Sequence, residues 1–433
     1  MCLKIILNST FYLIYLKKYS FSMIIFLSLL TIFQYHRTDV LHTNKKIDYE
    51  LSQAIKINSN LSIGTIDNST YFKKCPNDKP YRNIPMRSNE LINMISFVLQ
   101  SQSLMYCPVP KVATKTLLNV ILYIHVRDLI NNLNNNWTNI DNTKAKIERA
   151  INISKFIEEL RAHGVIIPKQ EKPKSLSEFL HMYLNILQFG QINEKYRSRL
   201  INPWRLRFTY SFPYFRLQSL SNLSQIFSSS FTRTIFVRHP FERLASAYKE
   251  RIATLSKDRI EPEFEYDAIR MEICYKRITS IELRQLMLLK DSCRNIIPSF
   301  EDFVRYIILA TYVPNGIARL NFHWQPYSTL CQVCKFRYNF VGKYELFDED
   351  FSQFLKHFNI TNWNIEKRNG PSGLQKWDYQ KYYITLPNDL ICQLIHLYND
   401  DFRLFKYKVH DYIVNRTGLL QNCHLIKTSW KEM

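Results

Sequence analysis

The stretch that decides the fold is Thr234-Ile-Phe-Val-Arg-His-Pro-Phe-Glu-Arg-Leu-Ala-Ser-Ala-Tyr-Lys249. Ile235 to Val237 form a short run of β-branched and aromatic residues, which predicts a buried strand. Pro240 stands where a helix begins, because its fixed φ suits the first helical position and its missing N–H costs nothing there. The stretch therefore predicts a strand, a tight turn and a helix.

Two side chains of this stretch are suited to bind phosphate. Arg238 follows the strand directly, and Ser246 lies about two turns into the helix. Ligands of open α/β sheets bind beyond such strand ends, where Arg offers a planar fork and Ser a short donor. The alternative is that Arg238 and Arg243 pair with Glu242 or Glu250 on a solvated helix face, where salt bridges contribute little.

A second unit of the same kind lies upstream, at Met105-Tyr-Cys-Pro-Val-Pro-Lys-Val-Ala-Thr-Lys-Thr116. The apolar residues that follow, from Leu117 to Leu133, recur with helical periodicity. A turn that enters a helix presents unpaired N–H groups to phosphate, and Lys111 would add a positive charge. Thr114 and Thr116 could donate hydroxyls, although N-capping by Thr explains them too. The Gly-rich form of an ATPase loop is absent.

Eight of the nine cysteines lie at or after position 75, an even number that permits disulfides in an oxidising compartment. Cys331 and Cys334 form a CxxC, which suits half a zinc site or a redox pair, but no partner stands at metal spacing. We therefore expect structural disulfides, with a connectivity that the sequence leaves open.

These segments together resemble one protein family. The stretches PKVATKT and IFVRHPFERLASAYKER resemble the two segments that bind the sulfate donor PAPS in carbohydrate sulfotransferases of the HNK-1 and chondroitin/dermatan 4-O-sulfotransferase family. HWQPYSTLCQVC (residues 323–334) and YNFVGKYE (residues 338–345) resemble two further family stretches, in the same order. The resemblance covers roughly Cys107 to the C-terminus.

The resemblance implies an α/β fold with a central parallel sheet flanked by helices, P-loop-like, and a PAPS-dependent transfer of a sulfuryl group to a glycan hydroxyl. It assigns Arg238 and Ser246 to the 3′-phosphate of PAPS. It assigns the segment around Lys111 to the 5′-phosphosulfate, and Lys111 would stabilise charge on the leaving phosphate. The donor-binding residues of that segment are Lys111, Val112, Ala113, Thr114, Lys115 and Thr116. No metal is implied.

This chain departs from the family pattern at two places. After PKVA the relatives usually read S/C-T-N-W-K-R, whereas Thr114-Lys-Thr-Leu-Leu-Asn119 stands here. Phe322 replaces a usual Glu before His-Trp. For the general base we choose His323, because an imidazole titrates near neutral pH. A packed His–Trp pair explains His323 equally well, and Glu345 is the other candidate base.

A basic loop at residues 366–377 contains Gly370 and Gly373 and resembles superficially the R-K-G-x-x-G loop of cytosolic sulfotransferases. Such a loop could close over a nucleotide, with Arg368 meeting phosphate. A surface turn with solvated charges is the alternative. Downstream, the apolar spacing from Leu386 to Tyr407 predicts an amphipathic terminal helix.

The N-terminus predicts a membrane anchor. Lys17 and Lys18 precede an uncharged stretch over residues 19–35, which is near the lower length limit for a transmembrane helix. No small-residue cleavage site follows, so we expect an uncleaved signal anchor with a cytosolic tail over residues 1–18. Residues 36–100 read as a stem and residues 101–433 as a lumenal sulfotransferase domain, in a single-pass type II protein of the Golgi membrane.

Seven N-x-S/T sequons would be glycosylation acceptors in a secretory compartment. They are Asn60, Asn68, Asn136, Asn152, Asn222, Asn359 and Asn415. Because the chain is rich in Asn, several sequons are also expected by chance.

The formal charge of +21 implies an anionic partner. Nucleic acid is disfavoured, because no zinc-finger, RNP or basic heptad pattern is present. A glycan acceptor fits, and we expect its specificity in residues 251–298 and in the basic loops near residues 160–215. The sequence leaves oligomeric state open. The alternative function is a membrane-anchored glycan-binding protein that keeps the fold but transfers sulfate weakly or not at all.

Overall fold

The computed structural model describes residues 75, 92, 95–99, 101–134, 151–165, 167, 173–189, 217, 223–258, 264–277, 293, 295–361, 363, 376–413, 416, 418, 419 and 423. They lie in one compact unit within residues 65–433. The predicted anchor, most of the stem and the 366–375 part of the glycine loop with Arg368 lie outside these residues. Among the helices that the structure describes, none is long and apolar enough to cross a membrane.

Four strands form one sheet in the order β1-β2-β3-β4. They are β1 (Phe97–Leu99), β2 (Leu104–Cys107), β3 (Thr232–Val237) and β4 (Phe340–Lys343). β2, β3 and β4 are parallel, and β1 pairs antiparallel with β2 at the edge. The central parallel sheet is confirmed. β1 falls within the span predicted as a stem, where Val98 is fully buried.

Thirteen α-helices lie among the residues that the structure describes. They are α1 (Thr114–Asn134), α2 (Ile153–Ala162), α3 (Leu176–Phe189), α4 (Pro240–Ala247), α5 (Phe264–Arg277), α6 (Phe300–Thr311), α7 (Gly316–Arg319), α8 (Tyr327–Leu330), α9 (Val333–Phe336), α10 (Phe347–His357), α11 (Lys376–Ile384), α12 (Asn388–Leu397) and α13 (Asn399–Leu404). A π-helical turn, Tyr248–Ile252, continues α4.

Two apolar clusters form the core. One joins the four strands to α1, α3 and α10, and the other joins α4, α6, α11 and α12. The predicted terminal helix is in fact two helices that meet at Tyr398. Tyr398 is the C-cap of α12, and its hydroxyl donates to the carbonyl of Trp324 at 2.6 Å. This buried hydrogen bond lies where the predicted single amphipathic helix is interrupted.

Four disulfides join Cys75 to Cys334, Cys107 to Cys331, Cys274 to Cys293 and Cys392 to Cys423. The prediction of structural disulfides is confirmed. The two cysteines of the CxxC bond to different distant partners, so the motif is neither a redox pair nor half a zinc site.

Candidate functional site

Three parallel strands end at one edge of the sheet. Cys107 of β2 pairs in register with Ile235 of β3, and Val237 of β3 pairs with Lys343 of β4. The turn at 108–113, Arg238 and Glu345 follow these strand ends directly. The topology therefore brings together the segments that the sequence selected, at the kind of edge where α/β proteins bind ligands.

The turn before α1 has an unusual backbone. Lys111 and Ala113 both have positive φ, 73° and 59°, a conformation that costs non-glycine residues energy and often occurs at functional sites. Alternation of this kind lets successive N–H groups point to one side, as in anion-binding nests. The turn then delivers the chain into the N-terminus of the 21-residue α1, the positive end of its dipole.

The side chains of this turn differ in their contacts and exposure. The hydroxyl of Thr114 donates to the carbonyl of Val109 and closes the turn. Val112 is buried in the core, and Thr116 is 7% exposed. Lys115 is partly exposed and its carbonyl accepts from Asn119 at 2.7 Å. The hydroxyl of Thr114 therefore shapes the turn, and its contact with phosphate stays a prediction.

Lys111 forms an ion pair with Glu250 from the π-helical turn after α4. The lysine side chain is 6% exposed, whereas that of Glu250 is 56% exposed. Arg251 lies 3.5 Å from the other oxygen of the same carboxylate. A half-exposed carboxylate thus holds the nearly buried side chain of Lys111 at this edge of the sheet.

Arg238 is 5% exposed and pairs with Glu242. Its guanidinium lies over the rings of Tyr344 and Tyr379, at 4.3 and 4.8 Å from the centroids. Burial alone lowers the pKa of Arg238, but Tyr379, Glu242 and Tyr344 outweigh burial and raise it. The ion pair with Glu242 is the alternative that the sequence left open, but it is buried rather than solvated.

Ser246 is 8% exposed on α4. It lies one turn after Glu242, the partner of Arg238, and one turn before Glu250, the partner of Lys111. Residues four apart lie on one face of a helix. Ser246 is therefore on the helix face that carries the partners of both basic residues.

Arg243 has a role that the sequence analysis missed. It is 1% exposed and donates to three backbone carbonyls: Pro110 at 3.2 Å, Gln325 at 2.7 Å and Phe322 at 2.8 Å. These bonds fasten the Lys111 turn to the segment that contains His323. Its charge suggested an ion pair, whereas a buried Arg often serves to satisfy carbonyls that would otherwise be unpaired.

Tyr327 joins the same network from the other side. Its hydroxyl donates to the carbonyl of Arg238 at 2.7 Å and lies 3.0 Å from the amide of that residue. The guanidinium of Arg243 lies 4.7 Å from the centroid of the Tyr327 ring. Asp401 accepts from the amides of Tyr327 and Ser328 at 2.8 and 2.9 Å, and burial raises the pKa of this carboxyl to about 6. The 322–328 segment is thus the hub that links both predicted phosphate-binding segments.

His323 is 4% exposed. Its Nδ1 lies 2.9 Å from the hydroxyl of Tyr266 and 3.0 Å from Oδ1 of Asn321. The same Oδ1 accepts from the amide of His323 at 3.0 Å, which orients the side-chain amide of Asn321. Because Oδ1 is an acceptor, the geometry favours a proton on Nδ1 and a lone pair on Nε2.

Glu345, the other candidate base, is engaged by two donors. The amide of His239 donates to one carboxylate oxygen at 2.7 Å and the hydroxyl of Tyr407 to the other at 2.9 Å. Burial raises the pKa of Glu345, while these donors oppose the rise. This carboxylate ties the end of β4 to the end of β3, a structural duty.

Comparison with models of protein families matches residues 96–408 to one described as "Sulfotransferase family". Among curated proteins, "Carbohydrate sulfotransferase 10" of Danio rerio is 28% identical over 193 residues, covering 43% of this chain and 50% of that protein. "Carbohydrate sulfotransferase 12" of Mus musculus is 27% identical over 191 residues, covering 43% and 42%. "Carbohydrate sulfotransferase 11" of Rattus norvegicus is 28% identical over 188 residues, covering 42% and 49%. The chain spans about half the length of the curated relatives it matches. No solved structure matches it.

Proposed function

Because this chain belongs to the sulfotransferase family, whose model spans residues 96–408, we propose that it transfers a sulfuryl group from PAPS to a hydroxyl of a glycan. The observation that carries the proposal is the meeting of the Lys111 turn and Arg238 at one sheet edge, fastened through Arg243. Two cationic side chains and a nest of N–H groups suit a donor that carries phosphates at two positions.

The residues present fit such a donor. Lys111 and Arg238 are two cations at this sheet edge, and each is held in place by a carboxylate, Glu250 and Glu242. An anionic phosphosulfate would replace the half-exposed Glu250 at Lys111. Arg238 and Ser246 would hold the 3′-phosphate, with Val112, Ala113, Thr114, Lys115 and Thr116 bordering the 5′ side. Arg368 remains a proposal for the same phosphates.

In the proposed reaction, the acceptor oxygen forms a bond to sulfur while the bond from sulfur to the phosphate oxygen breaks. The acceptor hydroxyl loses its proton to Nε2 of His323, which the bonds at Nδ1 leave as the basic nitrogen. Lys111 stabilises the charge that develops on the leaving phosphate. No step requires a metal.

The names of the relatives support a carbohydrate acceptor. We propose a glycan of the chondroitin/dermatan or HNK-1 type, whose anionic groups would meet basic side chains such as the described Lys174. We further propose a single-pass Golgi membrane protein anchored by residues 19–35, with a stem up to about residue 100. The four disulfides support an oxidising compartment for the folded part.

The test is transfer of label from sulfur-35 PAPS by the purified chain to a panel of chondroitin, dermatan and glucuronyl-lactosamine acceptors. We expect labelled product with at least one acceptor. Binding of these glycans without any transfer would contradict the proposal and establish the non-catalytic glycan-binding alternative.

A further inference from the structure

The turn after α10 exposes one of the seven sequons. The helix ends at His357, and Asn359 follows in the left-handed conformation with φ 52°. The amide of Asn359 donates to the carbonyl of Lys356 at 3.1 Å, and the amide of Ile360 donates to that of Leu355 at 2.9 Å. This is a Schellman-type helix end, at which Asn is tolerated where Gly is commonest.

This turn is firmly held. The guanidinium of Arg127 on α1 donates to the carbonyls of Phe358 and Asn359 at 2.9 and 3.4 Å. Trp363 packs edge-on against Tyr123, with 5.3 Å between ring centroids, and Ile360 is buried. The side chains of Asn359 and Thr361 are exposed on this fixed backbone.

We propose that Asn359 carries an N-linked glycan, an inference that rests on the lumenal placement in the proposed function. Nδ2 of Asn359 would form a bond to the anomeric carbon of an oligosaccharide carried on a lipid diphosphate. The diphosphate departs as the leaving group, and the amide loses one proton. Helix capping explains Asn at position 359 but not the exposed Thr at position 361, which the modification requires.

The other sequon with described geometry is Asn152, and it differs in its contacts. Its Oδ1 accepts from the amide of Lys155 at 3.1 Å and caps the N-terminus of α2. The side chain of Asn152 therefore already has a structural duty, which is worth about 1 kcal/mol for a cap of this kind. In Asn359 the backbone amide and carbonyl make the hydrogen bonds described for the turn, to Lys356 and Arg127. We therefore assign the glycan to Asn359.

A groove beside Asn359 suits the first sugars of the chain. It has a volume of about 370 Å³ and is lined by Ser352, Lys356, Trp363 and Thr361 among others. An indole face with polar neighbours offers both an apolar surface and hydrogen bonds, which a sugar ring needs. Grooves of about 300–1,000 Å³ hold small ligands in many proteins.

The glycan would lie far from the candidate site. His357, at the end of α10, contacts Thr232 at the start of β3, the opposite edge of the sheet from Arg238. Arg127, which holds the turn, is thirteen residues beyond the first residue of α1, or roughly 20 Å along its axis. A glycan at Asn359 therefore leaves the sheet edge that carries Arg238 uncovered.

The test expresses the full chain in a eukaryotic secretory host and releases glycans with an amidase in ¹⁸O water. Trypsin then liberates residues 357–367, a peptide with one sequon. We expect conversion of Asn359 to labelled Asp in that peptide. N359Q and T361A remove the label, T361S retains it, and sulfate transfer by N359Q equals that of the wild type.

An unlabelled Asn359 beside labelled sequons elsewhere would overturn the assignment. A chain with no labelled sequon at all would overturn it together with the lumenal placement. Sulfate transfer measured on the same preparation decides the proposed activity separately, so the two failures are distinguishable.

Discussion

At the residue scale, the candidate site depends on contacts between residues far apart in sequence. Lys111 and Arg238 could be selected from the sequence, because a basic residue after a short strand and before a helix is a local pattern. The function of Arg243 could not, since its three carbonyl acceptors come from Pro110, Phe322 and Gln325. The charged residues near Arg243 in the sequence suggested ion pairs, whereas its three carbonyl acceptors come close to it only in the folded chain.

The first prediction concerns Lys111. We expect K111A to lower kcat about 100- to 1,000-fold, because a preorganised charge on the leaving group is lost. Donor and acceptor kinetics with labelled PAPS measure the effect. K257A, on a short helical turn after the site, is the control and should leave kcat unchanged. Full activity in K111A would remove this residue from the mechanism.

The second prediction concerns Arg243. We expect R243K to lower the free energy of unfolding by about 1–3 kcal/mol, because an ammonium cannot reach all three buried carbonyls. R305K changes an exposed Arg that pairs with Glu301 and should cost less than about 0.5 kcal/mol. Urea unfolding of both variants provides the comparison. Equal stabilities would show that the three bonds contribute nothing.

At the element scale, the strand–turn–helix units and α1 were predictable because each has a strong local period and a clear start signal. β1 was not, because a strand of only three residues has no period of its own and forms by pairing with β2. The break at Tyr398 was also unpredictable, because the Trp324 carbonyl that binds it is 74 residues away. The sheet also contains one close contact between strands, because Gly342 of β4 pairs with Phe236 of β3.

The third prediction follows from that pair. A Cβ at position 342 would overlap the ring of Phe236, so G342A should destabilise the fold by about 1–3 kcal/mol. Thermal unfolding measures it. The smaller Leu of F236L leaves room for that Cβ. We therefore expect G342A to destabilise the fold less in the F236L background than in the wild type. An undiminished penalty in the double variant would rule out overlap with this ring as the cause.

At the scale of the whole molecule, the stability of the fold should depend on pH through His125 in α1. Burial lowers the pKa of this imidazole to about 3, below its ordinary value of 6.5. Between these two values the unfolded chain binds more protons than the folded one, so stability falls as pH decreases below 6.5. Asp401, whose pKa is raised to about 6, acts with the opposite sign, because protonation favours the folded state.

The fourth prediction isolates that effect. Between pH 7.5 and 5.5 the His125 contribution should cost the wild type about 1.4 kcal/mol. H125F has no imidazole to titrate. Between the two pH values its free energy of unfolding should therefore fall less than that of the wild type, by about 1.4 kcal/mol, whatever the substitution itself costs. Urea unfolding at the two pH values measures both slopes. Parallel slopes would mean that His125 has the same pKa in the folded and unfolded states.

The pairing of Lys111 with Glu250 has a consequence for turnover. In the proposed reaction Glu250 competes with the donor for Lys111, so donor affinity would reflect an exchange of anions and not attraction alone. The same carboxylate can return to Lys111 when the nucleotide product departs, which lowers the barrier to product release. We therefore expect E250Q to bind PAPS more tightly and to release the desulfated nucleotide more slowly, with a burst of product in pre-steady-state kinetics. A variant with weaker donor binding and no burst would contradict this exchange.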